Sequence, residues 1–301
     1  MSVSIEESGH SPDLSTEKVI KVDSMIEIPD DVKKKLFEID SIILPFFSVD
    51  QTQDQECLQD LPVFGPYQYI KGEKTSTYKG QYKEGKRHGR GKEVRSDGRY
   101  YDGYWRQDQF HGKGVLFYED GGYYYGEFAE GDKEGFGVFS ISDSTFEGFF
   151  RRDEMSGHGR EKWLDGSSYE GHYAKGKKDG FGLFLWPDSS SYEGYFKENN
   201  LEGKGIYKWA DGRVYEGEWK VNQMSGRGKY IWKDGRKYYG SYLTDKKNGH
   251  GYFIWSDGRV YDGGWVDGKQ HGVSLYINTE GVARLGEWEK GRRTKWVSEN
   301  D

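Results

Sequence analysis

The sequence predicts an all-β repeat array: an elongated, single-layer, twisted antiparallel β-meander of about ten hairpins. Three observations predict it. A Tyr-x-Gly-x-aromatic unit recurs about every 23 residues, opening at Tyr78, Tyr101, Tyr124, Phe146, Tyr169, Tyr192, Tyr215, Tyr238, Tyr261 and Arg284. A fixed period of this size marks a repeat array. Within a unit the apolar residues fall two apart, which is the strand period and not the helical one. Most units close on Asp-Gly, as at Asp97-Gly98, Asp211-Gly212 and Asp234-Gly235, a strong turn signal because glycine accepts positive φ.

Residues 1–77 form an N-terminal arm of different composition. They hold five of the six prolines, only three of the 44 glycines, and 15 acidic against 7 basic residues, a net of −8. The whole chain is −7, so the remainder is close to neutral. The polar stretch 1–25 reads as disordered. Pro29-Asp30-Asp31 opens a short predicted helix over 31–40, with Val32, Leu36 and Ile39 near one face. Ile42-Ile43-Leu44-Pro45-Phe46-Phe47 follows, far too short to span a membrane. It reads either as a cap on the first hairpin or as a docking peptide for another protein.

The repeats occupy 78–295, leaving 296–301 as a tail. Numbering each copy from its tyrosine as zero, positions 0, 2 and 4 share a face, and a Gly-x-Gly pair follows at 11 and 13, as in Gly226 and Gly228. Positions 15 and 17 continue a second alternating run, such as Tyr230 and Trp232. Each copy is therefore a hairpin. Glycine weakens a strand unless something uses the space it leaves. In the simplest register position 4 lies opposite 11 and position 2 opposite 13, seating each position-4 aromatic on bare glycine backbone. The copy at Tyr124 is one residue short, which predicts a local bend. The ninth has Val273 and Ser274 near the place of the second glycine, the first carries polar Glu93 and Arg95 at normally apolar positions, and the tenth lacks both the tyrosine and a second strand. Polar, atypical ends are what an array needs to stop cleanly.

These residues resemble the MORN repeat family, whose unit is similar to Tyr-Glu-Gly-x-Trp-x-x-Gly-x-x-x-Gly-x-Gly. Tyr215-Glu216-Gly217-Glu218-Trp219 with Gly226 and Gly228 follows it closely. The resemblance covers residues 78 to about 295 and implies a grooved antiparallel sheet. Members include radial spoke head proteins of cilia, cytoskeletal and cell-division scaffolds, junctional membrane-tethering proteins and regulatory segments of lipid kinases. Fold alone does not choose among them.

Little in the sequence suggests catalysis. His88, His111 and His271 share one repeat position, and His158 and His250 another; neighbouring hairpins hold equivalent residues about 9–10 Å apart, too far to share a zinc ion. The Gly-x-Gly pairs lack the third glycine and the helix of a dinucleotide site, and no Gly-Lys-Ser/Thr loop is present. Glu170, Glu193, Glu216 and Asp262 at position 1 have the opposite parity to the aromatics and read as solvated. No cofactor or metal is expected, and a near-neutral array offers little to nucleic acid. The basic pairs Arg151-Arg152, Lys177-Lys178 and Lys246-Lys247 fall in one class of loop and could form an edge that meets anionic lipid or acidic protein tails. No signal, membrane span or lipidation motif is visible, and the single Cys57 fits a reducing compartment.

The expectation is a non-enzymatic scaffold, cytoplasmic and cytoskeletal. The resemblance points to the ciliary axoneme or another microtubule-associated assembly, with other proteins of that assembly as partners. The candidate partner groove is Tyr169, Tyr173, Tyr192, Phe196, Tyr215, Trp219, Tyr238, Tyr242, Tyr261 and Trp265; the candidate docking arm is Ile42, Ile43, Leu44, Phe46 and Phe47. The alternatives are a peripheral binder of anionic phospholipid and a regulatory subunit of a kinase.

Overall fold

A computed structural model describes residues 18–21, 61, 63–71 and 74–297. The chain divides into two compact units, Met1–Glu154 and Met155–Asp301. The first holds β1 (Lys18–Lys21), β2 (Val63–Lys71), β3 (Lys74–Lys83), β4 (Lys86–Arg95), β5 (Tyr100–Arg106), β6 (Gln109–Phe117), β7 (Tyr123–Ala129), β8 (Asp132–Ser140) and β9 (Ser144–Arg151). The second holds β10 (Glu154–Trp163), β11 (Ser168–Ala174), β12 (Lys177–Leu185), β13 (Ser191–Lys197), β14 (Asn200–Lys208), β15 (Val214–Lys220), β16 (Gln223–Ile231), β17 (Lys237–Leu243), β18 (Lys246–Ile254), β19 (Val260–Val266), β20 (Lys269–Ile277), β21 (Ala283–Glu289) and β22 (Arg292–Trp296). Each unit is an antiparallel meander in which strands pair with their neighbours in sequence. Among the described residues there is no helix, and the helix expected over 31–40 lies outside them.

The paired strands reach beyond the predicted start of the array. β1 lies inside the stretch read as disordered and pairs with β2, Lys21 opposite Tyr67. β2 in turn pairs with β3, so two strands precede the first repeat. At the other end the tenth copy does have a second strand, β22, with Trp296 opposite Gly286. The short third copy keeps its register: Gly137 still faces Gly148, and a tight turn from Ile141 to Ser144 absorbs the missing residue.

The repeat register differs from the simplest one in an instructive way. Position 2 does face position 13, as Gly217 faces Gly228. A bulge between Gly217 and Glu218 then shifts the pairing, so that Trp219 faces Met224 at position 9. The position-11 glycine faces the aromatic of the following copy, Gly226 against Tyr242, and adopts a φ of 59°, which disfavours any side chain. The ring that lies on the glycine pair is the position-0 tyrosine. A Cβ on Gly228 would sit 2.6 Å from Tyr215 Cζ. The Tyr215 hydroxyl donates to the Glu218 carbonyl at 3.0 Å, a carbonyl of the bulge. The same bond recurs from Tyr169 to His172, Tyr192 to Tyr195 and Tyr238 to Ser241. Glycine, bulge and tyrosine are thus one device: small residues seat a ring whose hydroxyl reaches backbone that the bulge disturbs.

The two edges of the hairpins are built differently. At the two-residue loops Val221 and Asn222 both take positive φ, 48° and 64°, the conformation that matches strand twist. Asn222 Oδ1 accepts from Leu201 N–H at 2.7 Å, and Asp245 caps Met224 likewise at 2.8 Å; each loop is stitched to the previous copy. At the Asp-Gly edge, Asp234 pairs with Arg236 at 2.8 Å, and that guanidinium lies 5.5 Å from the Trp232 ring.

Candidate functional site

Each position-0 tyrosine is met edge-on by two aromatics. Tyr215 has Trp219 of its own copy at 5.1 Å and Tyr242 of the next at 5.3 Å between ring centroids. Position 9 supplies a third neighbour. In copy eight it is Lys247, whose ammonium lies 4.4 to 5.3 Å from the rings of Trp232, Tyr238, Phe253 and Trp265. Burial pushes its amine down to about 8, while the ring faces favour the charged form. In copy two the same place is filled by Phe110, stacked on Tyr101. Desolvation raises the phenols of Tyr215, Tyr238 and Tyr192 well above their ordinary range.

This packing overturns the predicted partner groove. Tyr169, Tyr173, Tyr192, Phe196, Tyr215, Trp219, Tyr238, Tyr242, Tyr261 and Trp265 are all 6% exposed or less. They form the core of a layer that must cover itself, and they present almost no surface to a partner. The basic edge is corrected in part. Arg151, Arg152, Lys177 and Lys246 stand exposed at the loops, but Lys178 and Lys247 turn inward over the tyrosines. The exposed lysines meet acids of the next loop, Lys177 with Glu198 at 3.6 Å and Lys246 with Asp267 at 3.4 Å. The docking arm, Ile42 to Phe47, lies outside the described residues. Glu93 and Arg95 are no solvated end either: Glu93 is 3% exposed and held by Arg87 at 2.8 Å and Arg95 at 2.9 Å.

An accessible, partly aromatic surface of the second unit lies on the opposite face. Positions 1, 3, 12 and 14 of copies five to eight line a groove of about 930 Å³. Its apolar floor includes Phe181, Tyr195, Ile206, Tyr239 and Tyr252, the four aromatics being 37–52% exposed. Phe181 and Tyr195 meet edge-on at 5.5 Å. Charges of both signs rim it: Glu216 pairs with Lys229 at 3.9 Å, Glu218 accepts from the Arg227 backbone N–H at 3.1 Å, and His250 contacts Asp262 at 3.0 Å. Sequence reasoning assigned this parity to solvent on the strength of its glutamates. The signal it passed over was the interruption of that charged pattern by Phe181, Tyr195, Tyr239 and Tyr252.

Among the described residues no group of His, Cys, Asp or Glu could hold a metal ion. What the arrangement offers is contact: exposed rings on rigid strands with alternating charges beside them, features that suit recognition of another chain.

A family profile described as MORN repeat matches residues 78–98, 101–123, 124–145, 146–168, 169–191, 192–212, 215–235, 238–258 and 261–273. No curated protein matches. Among solved structures, the chain is similar to the SAS-4 TCP domain of Drosophila melanogaster bound to a proline-rich motif of Ana2, at 11% identity and a TM-score of 0.32, over 50% of this chain and 83% of that one. It is also similar to a point mutant of the TCP10 domain of Danio rerio CPAP, at 11% identity and a TM-score of 0.37, over 67% and 95% of the two chains. A third is the G-box domain of the microcephaly protein CPAP, at 10% identity and a TM-score of 0.32, over 70% and 94%.

Proposed function

The chain belongs to the MORN repeat family, and on that premise we propose that it is a structural scaffold whose second unit binds a protein partner along the groove of Phe181, Tyr195, Tyr239 and Tyr252. MORN repeats are non-enzymatic modules of protein or lipid interaction. The single observation that carries the protein reading is the exposure of those four rings together on one face, beside charges of both signs. Isolated exposed apolar residues are ordinary, but clustered ones on a rigid concavity mark interfaces. The proposed setting is a ciliary axoneme or another microtubule-associated assembly, in keeping with the radial-spoke-like members that the repeats resemble.

The test is stepwise extraction of native cells with mild detergent and then high salt, followed by crosslinking of the retained fraction. Retention through both steps supports a built-in part, and loss of its crosslinks in a Tyr195→Ala/Tyr239→Ala/Tyr252→Ala variant assigns them to the groove. Release by detergent alone defeats the reading. The lipid alternative draws on the basic edge, which the Lys177–Glu198 and Lys246–Asp267 pairs partly neutralise; binding of the chain to phosphatidylserine vesicles at low salt, abolished by reversing Arg151 and Arg152, would restore it.

A further inference from the structure

We propose that the segment Ile42-Ile43-Leu44-Pro45-Phe46-Phe47 of this same chain docks on the first unit, on the face opposite its tyrosines and over β5 to β8. Equivalent positions of the two units differ in exposure. In the first unit Tyr100, Val115, Phe117, Tyr125 and Val138 form one apolar cluster, each 8% exposed or less. In the second unit the residues at the positions of Val115, Phe117 and Tyr125 include Leu183, Leu185 and Tyr239, and they are 38%, 42% and 37% exposed. The repeat is the same and the strands are the same; only the solvent differs.

A side chain on an open sheet face stands roughly perpendicular to it, flanked but not roofed by its neighbours. The tyrosines of the other face escape this by lying flat on glycine. Phe117 has no such seat: its pairing partners are Tyr100 and Tyr123, rings of its own size. Burial to 1% therefore needs atoms above the face. The main packing of the described strands runs between sheet neighbours, so the cover is sought outside them.

The path of the chain says what can supply it. β1 and β2 are paired, and residues 22–62 connect them in sequence. Both ends of that connection thus lie at the first edge of this unit. Ile42 is about 20 residues from either end, a reach of roughly 65 Å when extended, while β8 lies only about 29 Å from β2 at ordinary strand spacing. Within the connection, Ile42 to Phe47 is the one six-residue apolar run in a strongly acidic stretch, and its chemistry matches the cluster. The assignment is independent of what the groove of the second unit binds.

The test uses the full chain with p-benzoylphenylalanine at position 46, prepared as a mixture of isotopically light and heavy protein. Photo-crosslinks to residues of β5–β8 within one chain are expected. Crosslinks joining light to heavy chains would show a second copy as the occupant and overturn the proposal, as would crosslinks confined to other strands. Hydroxyl-radical footprinting supplies the second readout. In a Phe46→Asp/Phe47→Asp variant, oxidation of Tyr100, Phe117 and Tyr125 should rise several-fold, with Tyr252 unchanged and Tyr238 still protected as the sign that the array is intact. Unchanged protection of Tyr100 and Phe117 overturns it; if Tyr238 also loses protection, the crosslinks decide.

Discussion

Substituting Gly228 by alanine tests whether the tyrosine seat holds the array together. The new Cβ would lie 2.6 Å from Tyr215 Cζ, so the ring must lift off its strand. Tyr215 is fully buried, and an aromatic of this size buries about 150–250 Å², worth about 4–6 kcal/mol at ~25 cal/mol per Å². Displacing the ring halfway forfeits about half of that, and the bond to the Glu218 carbonyl adds about 1 kcal/mol. The expected cost is about 3–4 kcal/mol. Gly235→Ala is the reference: its φ is 88° but nothing lies within 4 Å of an added Cβ, so only backbone strain of about 1–2 kcal/mol applies. Urea titration followed by far-ultraviolet circular dichroism gives both values. The decisive comparison repeats Gly228→Ala in a Tyr215→Ala background, where the seat is empty and the cost should fall below about 1 kcal/mol. An equal cost in both backgrounds, or a Gly228 variant no worse than the Gly235 one, would refute the reasoning.

Four further outcomes follow from the same packing. Burial holds Lys247 at about 8, below the unfolded amine, so the unfolded state binds more protons between about pH 8 and 10.4; stability should be lost as pH falls through that window, by about 1–2 kcal/mol after the opposing pull of the rings, and Lys247→Met should flatten the profile in urea titrations at stepped pH. The buried phenols run the other way: raised above their unfolded value near 10, they contribute stability that is intact below that pH and lost as it rises, so tyrosinate absorbance and loss of sheet dichroism should appear together in an alkaline titration. Asn222→Gly keeps the positive φ but removes the acceptor for Leu201 N–H and should cost about 1 kcal/mol, whereas Asn222→Ala adds backbone strain and should cost about 2 kcal/mol in urea midpoints. Arg87→Leu leaves the buried Glu93 carboxylate with Arg95 alone and should destabilise the first unit by about 3 kcal/mol, visible as faster amide exchange in β3–β5.

The period of 23, the alternation and the Asp-Gly turns made the hairpins legible, because each is a local property of the chain. Glycine facing glycine was legible too, as at Gly217 and Gly228. The occupant of the seat was not. That depends on the bulge after Gly217, which hands the seat to Tyr215 and moves Trp219 to the edge of two neighbouring rings. A bulge leaves no separate mark in the alternation, since it costs one residue of register and nothing of parity at position 0. The same blindness misplaced the partner surface. Alternation separates the two faces of a strand but does not say which one is exposed; in a protein with two layers the apolar face is the hidden one and the inference is safe. Here the second unit is one layer, and the face richest in aromatics hides itself by folding its rings onto glycine. The surface left over is the one where an aromatic has no glycine to lie on. Tyr195 and Tyr239 are such residues, flanked by Phe181 and Tyr252 rather than by bare backbone, and that is why they, and not Tyr192 and Tyr238 beside them, are open to a partner.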